Sequence, residues 1–496
     1  MRRMPLPGPV LLLICLCMVM GSHAAMAKSS IYRMMIGGRI LELAQTRQIT
    51  DSADGEVSSA SISPNGKYVV YLRKHLGDNQ ACLTKLTGGR TVIVMSPPPN
   101  QDEEGLIGEV WTPHGSWAWS PDSKLFALWA SHTVKSTGKA SWEYRIAVFN
   151  TTGTCQVSFP VKGMNQPTLQ LSWSPDSRKL AGVFFIGPVT GSRRDLLVLD
   201  IASVTMQPLV SEPEGNLDLV SWNAAATSLS YAISNRKAQL REVNLVTKED
   251  KVMKEDYFPP RMPSPDGAFE LDSGPVVNIR STEAGEGIKP IRIGPGEALG
   301  WAPNSKMLVY QKPVAIKDES GKREQDFNML WLAAAEVNPF NNMCATLDSK
   351  KDQPPTWSKD CMKMAYVSDG KVYVAEFVWK PITPYDKLDA GLPLTETDEQ
   401  EVLMDRAVAI GKGIGMYFSD WDGAYPSGAG FAEELTPYTR DRTLFFRPGT
   451  EESAFQYFPP SGTIYSPATT VMGFFDVGYA WKVVLYADGH VQVVPK

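Results

Sequence analysis

Trp119-Ser-Pro-Asp-Ser123 runs into the apolar segment Leu125-Phe-Ala-Leu-Trp-Ala130, and Trp173-Ser-Pro-Asp-Ser177 runs into Lys179-Leu-Ala-Gly-Val-Phe-Phe185. Ser, Pro, Asp and then a small residue suit a type I turn. Proline presets φ, and the short polar side chains bond back to nearby backbone N–H groups. The apolar segment that follows has the length and content of a half-buried strand. The Trp before the turn is large enough to pack between neighbouring units. A turn and strand recurring in this way predict a repeat architecture.

Outward from these two copies the phrase recurs, seven times in all. The others are Ile62-Ser-Pro-Asn-Gly66, Trp222-Asn-Ala-Ala-Ala226, Pro263-Ser-Pro-Asp-Gly267, Trp301-Ala-Pro-Asn-Ser305 and Trp357-Ser-Lys-Asp-Cys361. Their third positions are 57, 54, 49, 41, 38 and 56 residues apart. Further strands are legible between copies, among them Glu143–Asn150 and Asp195–Asp200. The copies at Trp222 and Trp357 lack the proline, and that at Pro263 lacks the Trp, so the fourth, fifth and seventh units have less certain edges.

The series resembles the TolB-type, or WD-like, β-propeller repeat over about residues 50–380. The resemblance implies a six- or seven-bladed β-propeller, each interval holding one four-stranded blade. It also implies a ring closed by a strand from the far terminus, for which the residues around Arg47–Ser61 are the candidate.

The 496 residues carry a formal net charge of −5, with no long basic run. That argues against a nucleic-acid partner, because phosphate neutralisation needs clustered Lys and Arg. Residues 1–27 read as a signal peptide: Arg2 and Arg3, the apolar run Val10–Gly21, and Ala25-Met-Ala27 as a cleavage site. The run is too short to span a bilayer comfortably, so the mature chain is expected to carry no membrane span. Export makes disulfides among Cys82, Cys155, Cys344 and Cys361 possible, with buried free thiols the alternative.

The phrase stops after Phe377, and a proline-containing linker follows. Thr397 with Gln400 predicts a capping box opening a helix over about 398–418, with Leu403, Ala407, Ile410, Ile414 and Tyr417 on one face. Close packing is the expected reason for Gly411, Gly413 and Gly415. Asp488-Gly489 predicts a terminal hairpin. Residues 397–496 resemble the pilin-like, prepilin-type-processing-associated family, through Tyr417, Asp420, Asp422, Gly423, Pro426, Pro437, Tyr438, Phe446, Pro448 and Asp488-Gly489-His490. That family's His ten residues before the final Asp is Gly478 here, and its N-terminal prepilin helix is replaced by the signal and the repeats. The resemblance therefore implies a small α+β fold without assembly into a pilus.

Candidate chemistry is sparse. No G-x-S-x-G occurs, so the serine hydrolase found beside similar propellers is not expected. Beyond the signal the histidines are His75, His114, His132 and His490. His490 has no evident nucleophile and reads as structural. Asp420 and Asp422 are the one metal candidate, by likeness to a calcium loop, but the closing Glu is missing and turn formation is the simpler reading. No cofactor is expected, and the acidic run 101–104 reads as a solvated loop. The recurring Trp119, Pro121, Asp122, Trp173, Pro175, Asp176, Trp301 and Trp357 are read as structural. Trp111, Trp117, Trp129 and Trp142 either line a central funnel or pack between blades.

The expected organisation is thus a signal (1–27), a propeller (28–385) and a pilin-like α+β domain (386–496). The expected function is non-catalytic: an exported scaffold binding a protein or peptide in the cell envelope. An enzyme, hydrolase or lyase, with its site in the funnel, or a carbohydrate-binding module, are the alternatives.

Overall fold

The computed structural model describes residues 33–496 except 52–54, 97–109, 137–138, 167–170, 188–192, 213–215, 235–237, 258–261, 274–275, 283–288, 318–322, 337–341 and 348–353. The signal residues and the acidic run 101–104 therefore lie outside the described residues. The chain forms two compact units, residues 1–380 and 381–496. The expected boundary at 385 falls inside a short helix, Pro384–Asp389, of the second unit.

Among the described residues the first unit holds seven antiparallel sheets, one per copy of the phrase. Each phrase joins the first strand of its sheet to the second. The first sheet runs Glu56–Ile62, Tyr68–His75, Asp78–Lys85 and Val92–Met95. The second runs Val110–Trp119, Leu125–Ser136, Lys139–Asn150 and Cys155–Val161. First strands of neighbouring sheets approach one another, whereas a fourth strand such as Asp250–Glu255 is exposed along its length. This is the order of a β-propeller, with first strands inside. Among the described residues the fifth sheet has three strands, and Pro263 is bridged to Glu270.

The seventh sheet shows how the ring is tied. Thr356–Trp357, Lys363–Ser368 and Lys371–Pro381 are continued by Arg39–Gln48 and Arg33–Ile36 from the other end of the unit. The N-terminal strand does complete the last sheet, but it lies upstream of the expected 47–61. Residues from Glu56 onward are taken as the inner strand of the first sheet. The seventh sheet then meets the first: Ile62 N–H donates to the Thr356 hydroxyl at 2.9 Å, and Lys359 N–H to the Pro64 carbonyl at 2.7 Å.

All seven turns share one geometry. The fourth-position N–H donates to the first-position carbonyl at 2.8–3.1 Å. The fourth residue itself has φ between +57° and +74°. Glycine takes that conformation freely, but Ser123, Ser177, Ala226, Ser305 and Cys361 do so at a cost of roughly 1–2 kcal/mol each. The serines gain something in return. The Ser123 hydroxyl accepts the N–H of Asn65 in the preceding turn at 2.9 Å, Ser177 accepts Asp122 N–H at 3.1 Å, and Ser305 accepts Asp266 N–H at 3.0 Å. Within the four turns that have both a Ser and an Asp the first Ser donates to the Asp carboxylate, as Ser174 does to Asp176 at 2.6 Å, and that carboxylate also accepts a backbone N–H.

The tryptophans make a second link. Trp119, Trp173, Trp222 and Trp301 donate their indole N–H to the carbonyls of Ser61, Ala118, Ser172 and Met262, at 3.4, 2.9, 3.1 and 2.8 Å. Each acceptor is the residue before the matching position in the previous copy. Trp357 keeps the packing, stacked on Phe377 at 5.6 Å, but its buried Nε1 has no partner. Apolar clusters fill the joints, for example Val70, Leu83, Phe126 and Leu128 between the first and second sheets. Cys155 and Cys361 are free thiols, which removes a two-bridge disulfide framework. The Cys344 side chain lies outside the described residues. Burial pushes the Cys361 thiol up to about 11.

The second unit packs helix α2 (Glu396–Asp420) on a four-stranded antiparallel meander, Phe455–Tyr457, Val471–Phe475, Trp481–Tyr486 and Val491–Pro495. Helix α1 is Pro384–Asp389 and α3 is Phe431–Thr439. Leu403, Ala407, Ile410 and Ile414 are buried against Phe455, Phe475, Val483 and Leu485, as their spacing predicts. The cap is a correction. It is Thr395, not Thr397, whose hydroxyl accepts Asp398 N–H, while the Asp398 carboxylate takes Thr395 N–H at 2.8 Å. An Asp closes this box as well as the expected Gln would, and it also meets Lys387 Nζ at 2.5 Å. A Cβ on Gly411 would stand 2.9 Å from Leu485, and one on Gly413 2.7 Å from Thr439, so both glycines permit close packing; Gly415 faces open space.

Two outcomes follow for stability. Ser123→Ala keeps the strained φ and leaves Asn65 N–H unpaired, so it should lower stability by about 1 kcal/mol; Ser123→Gly relieves the strain and should cost less. Urea unfolding of the two variants compares them directly. In the second unit Asp398 is held down to about 2, chiefly by the Lys387 ammonium and then by Thr395. An unfolded Asp titrates near 3.9, so this contribution is complete above pH 4 and is lost as pH falls towards 2. Helical circular dichroism during unfolding should show Asp398→Asn with a flatter pH dependence than the parent over that range.

Candidate functional site

Phrase turns join first strands to second strands, so they lie at one end of the first unit. The opposite end carries the links between second and third strands. Towards that end the inner strand Val110–Trp119 gathers unusual chemistry: Trp111, His114 and Trp117 within seven residues. Its ladder with Leu125–Ser136 slips between His114 and Trp117, where Gly115 and Ser116 have no paired residue. The neighbouring inner strand comes very close here. A Cβ on Gly115 would lie 2.4 Å from the Ser59 hydroxyl, and Trp117 Nε1 donates to that hydroxyl at 3.3 Å.

The third strand supplies the charge. Arg145 sits with its guanidinium 4.3 Å from the centre of the Trp111 ring. Stacking of this kind holds the planar cation while leaving its edges available. Its ion pair with Glu143 is long, at 3.6 Å, and its buried Nε has no hydrogen-bond partner. His114 Nε2 and the Ser131 hydroxyl are 2.9 Å apart, with the Tyr144 ring 6.4 Å from the imidazole. Burial holds the His114 imidazole below its ordinary value. The arrangement joins an aromatic face, a fixed cation and a neutral imidazole. It suits recognition of a group with a carboxylate or carbonyl oxygen beside an apolar face.

The four tryptophans proposed as funnel or packing residues divide. Trp129 is fully buried between the second and third sheets, edge-on to Phe184 at 5.4 Å. Trp117 and Trp111 pack against the cluster between the first and second sheets while half-exposed. The Trp142 side chain lies outside the described residues. Trp119, Trp173 and Trp301 are the indole donors of the joints, Trp357 is packed without a donor bond, and Asp122 and Asp176 bond within their turns. Pro121 and Pro175 occupy the second turn position. Cross-strand pairing brings Arg145 to Trp111, thirty-four positions apart in sequence. Nothing in the linear sequence signals that pairing.

In the second unit, Asp420 ends α2 and Asp422 follows with φ +47° in an exposed turn. Among the described residues no group of three or more His, Cys, Asp or Glu stands together. His490 is held in the Asp488-Gly489 turn, its Nδ1 2.5 Å from Asp488 and its ring stacked on Tyr486 at 4.2 Å. Trp421 Nε1 donates to the Tyr438 hydroxyl at 3.1 Å, and Tyr417 stacks on Trp421, so these motif residues brace the end of α2. Among the described residues no helix is long and apolar enough to cross a membrane.

No family model matches the chain, and no curated protein does. Among solved structures it is similar to an oligogalacturonate lyase from Vibrio parahaemolyticus, at 11% identity over 69% of this chain and 98% of that one, with a TM-score of 0.42. It is similar to TolB from Acinetobacter baumannii, at 14% identity over 67% and 68%, with a TM-score of 0.29. A third is the β-propeller domain of the Trilobed protease from Pyrococcus furiosus, at 14% identity over 52% and 80%, with a TM-score of 0.33. These neighbours are β-propellers.

Because burial disfavours its charged form, His114 should titrate below 6.5 in the folded protein. Stability should then be full above that pH and decline below it, as the unfolded chain takes the proton first. A histidine NMR titration checks the value, and His114→Gln should remove that part of the decline.

Proposed function

We propose that this is an exported, non-catalytic binding protein whose propeller engages a protein or peptide partner through the Trp111–Arg145 patch. One observation carries the reading. Most recurring polar side chains are engaged in turns and joints, whereas the partly exposed guanidinium of Arg145 is stacked on Trp111 with a single long ion pair among the described residues. A carboxylate on the partner would give it a closer counter-charge, beside the apolar surface of Trp111. Export to the periplasm or cell surface is read from the N-terminal sequence, and envelope partners follow from that location. We read the seven sheets as seven blades, and residues 397–496 as a pilin-like fold that does not assemble into fibres. Helix α2 on its meander is compatible with this.

Arg145→Ala and Trp111→Ala should each weaken retention of the partner captured from envelope extract by tenfold or more, with the melting temperature nearly unchanged. Capture unaffected by both variants would remove the patch from the proposal. Turnover of a polysaccharide or peptide pool by the intact chain, abolished by His114→Gln, would instead make the protein an enzyme.

A further inference from the structure

We propose that the second unit holds a binding site for a basic peptide segment of a partner, in the cleft at the C-terminal end of α2. The cleft has a volume of about 640 Å³. Phe418 and Tyr425 stand on one side of it, and Pro460, Thr463, Ile464 and Pro467, from the loop after Phe455–Tyr457, on the other.

The backbone around the rings leaves them open. Phe418 is 38% exposed, and its ring centre lies 4.7 Å from that of Tyr425. Gly423, in the turn after α2, has φ +85° and donates its N–H to the Phe418 carbonyl at 2.9 Å. A Cβ there would stand 3.4 Å from the tip of the Phe418 ring. Glycine therefore serves the turn and leaves the ring uncovered. Trp421, in the same turn, offers a second aromatic surface. Its indole is stacked on Tyr417 and its N–H is held by the Tyr438 hydroxyl, yet it is 58% exposed. Rings fixed in place while facing solvent lose little freedom on binding.

The charge of the unit selects the ligand. Residues 381–496 have sixteen Asp or Glu against eight Lys or Arg, a formal net charge of −8 in a chain whose total is −5. The three stretches that line the cleft, 413–439, 448–481 and 483–495, contain no Lys or Arg. Most cations of the unit are taken by acids elsewhere: Lys387 by Asp398, Arg442 by Glu433, Arg447 by Glu399, and Lys482 and Lys496 by Asp476. Arg406 donates to the carbonyls of Thr443 and Phe446. Asp420 and Asp422, both exposed on the turn beside the cleft, form no ion pair among the described residues.

Aromatic faces beside carboxylates attract an ammonium or guanidinium twice over, through the ring quadrupole and through opposite charge. An anion would meet repulsion, and a purely apolar ligand would leave the acids unanswered. The cleft and the Trp421 surface flank the acidic turn on two sides, and one small ammonium cannot cover both. A peptide with several Lys or Arg side chains can, laying their apolar stems along the rings. The site is opposite in sign to the Trp111–Arg145 patch and stands whether or not that patch binds.

Titration calorimetry of the full chain with tetra-arginine tests this, with spermidine as the small-cation comparison. Tetra-arginine should bind one-to-one, at least tenfold more tightly than spermidine, and less tightly at high salt. Phe418→Leu and Tyr425→Leu keep apolar bulk but remove the ring faces, and each should weaken binding fivefold or more, whereas Phe418→Tyr should not. Asp422→Asn should weaken it to a similar degree. In the parent, tetra-arginine should slow hydrogen exchange of the backbone amides at 421–425 and 462–466. Binding that both leucine variants leave unchanged is attraction to net charge alone and overturns the proposal. Spermidine binding as tightly as the peptide, or no added protection at either loop, overturns it as well. Should a leucine variant not fold, the parent's exchange pattern decides by itself.

Discussion

Everything in the first unit depends on how one sheet is fastened to the next. A single four-stranded sheet has two faces and cannot bury both alone, so each copy is stable only against its neighbours. Two small bonds set the spacing and rotation of each step where both are present. The indole of one copy reaches the inner-strand carbonyl of the copy before, and a turn serine accepts a backbone N–H from the turn before. The apolar clusters then fill the angle between sheets. At Ser123, Ser177 and Ser305 the hydroxyl's bond offsets the strain of a left-handed conformation that Ala226 adopts with no hydroxyl.

This fastening separates architecture from recognition. The residues that recur are the ones the joints need, and their polar atoms are bonded except the Trp357 indole nitrogen. Chemistry suited to a ligand collects where a copy departs from the pattern. The second sheet does so most, through its long second and third strands, the slipped ladder at Gly115 and the pairing of Arg145 with Trp111. The fifth sheet departs in the other direction. Its copy of the phrase has Pro263 in place of Trp and Gly267 at the fourth position.

Much of the second unit was legible from periodicity. Leu403, Ala407, Ile410 and Ile414 lie three or four positions apart and all reach the core. The sequence pattern alone puts the helix start two residues late, because Thr395 and Thr397 both precede acidic or amide residues. The choice between them rests on Lys387, which reaches Asp398 from the preceding helix and draws the box to Thr395. Of the three glycines expected at close approaches, Gly411 meets Leu485 and Gly413 meets Thr439, whereas Gly415 faces open space.

The sequence alone determined the repeat: seven turns, their following strands and the Trp positions are local patterns, and local patterns are written in neighbouring residues. It also showed, through Pro263, which copy was deviant. Only the tertiary structure decided that Arg39–Gln48 rather than a later segment completes the last sheet, because strand pairing across more than three hundred residues leaves no local trace. It alone set Arg145 over Trp111, since which side chains meet depends on register between strands.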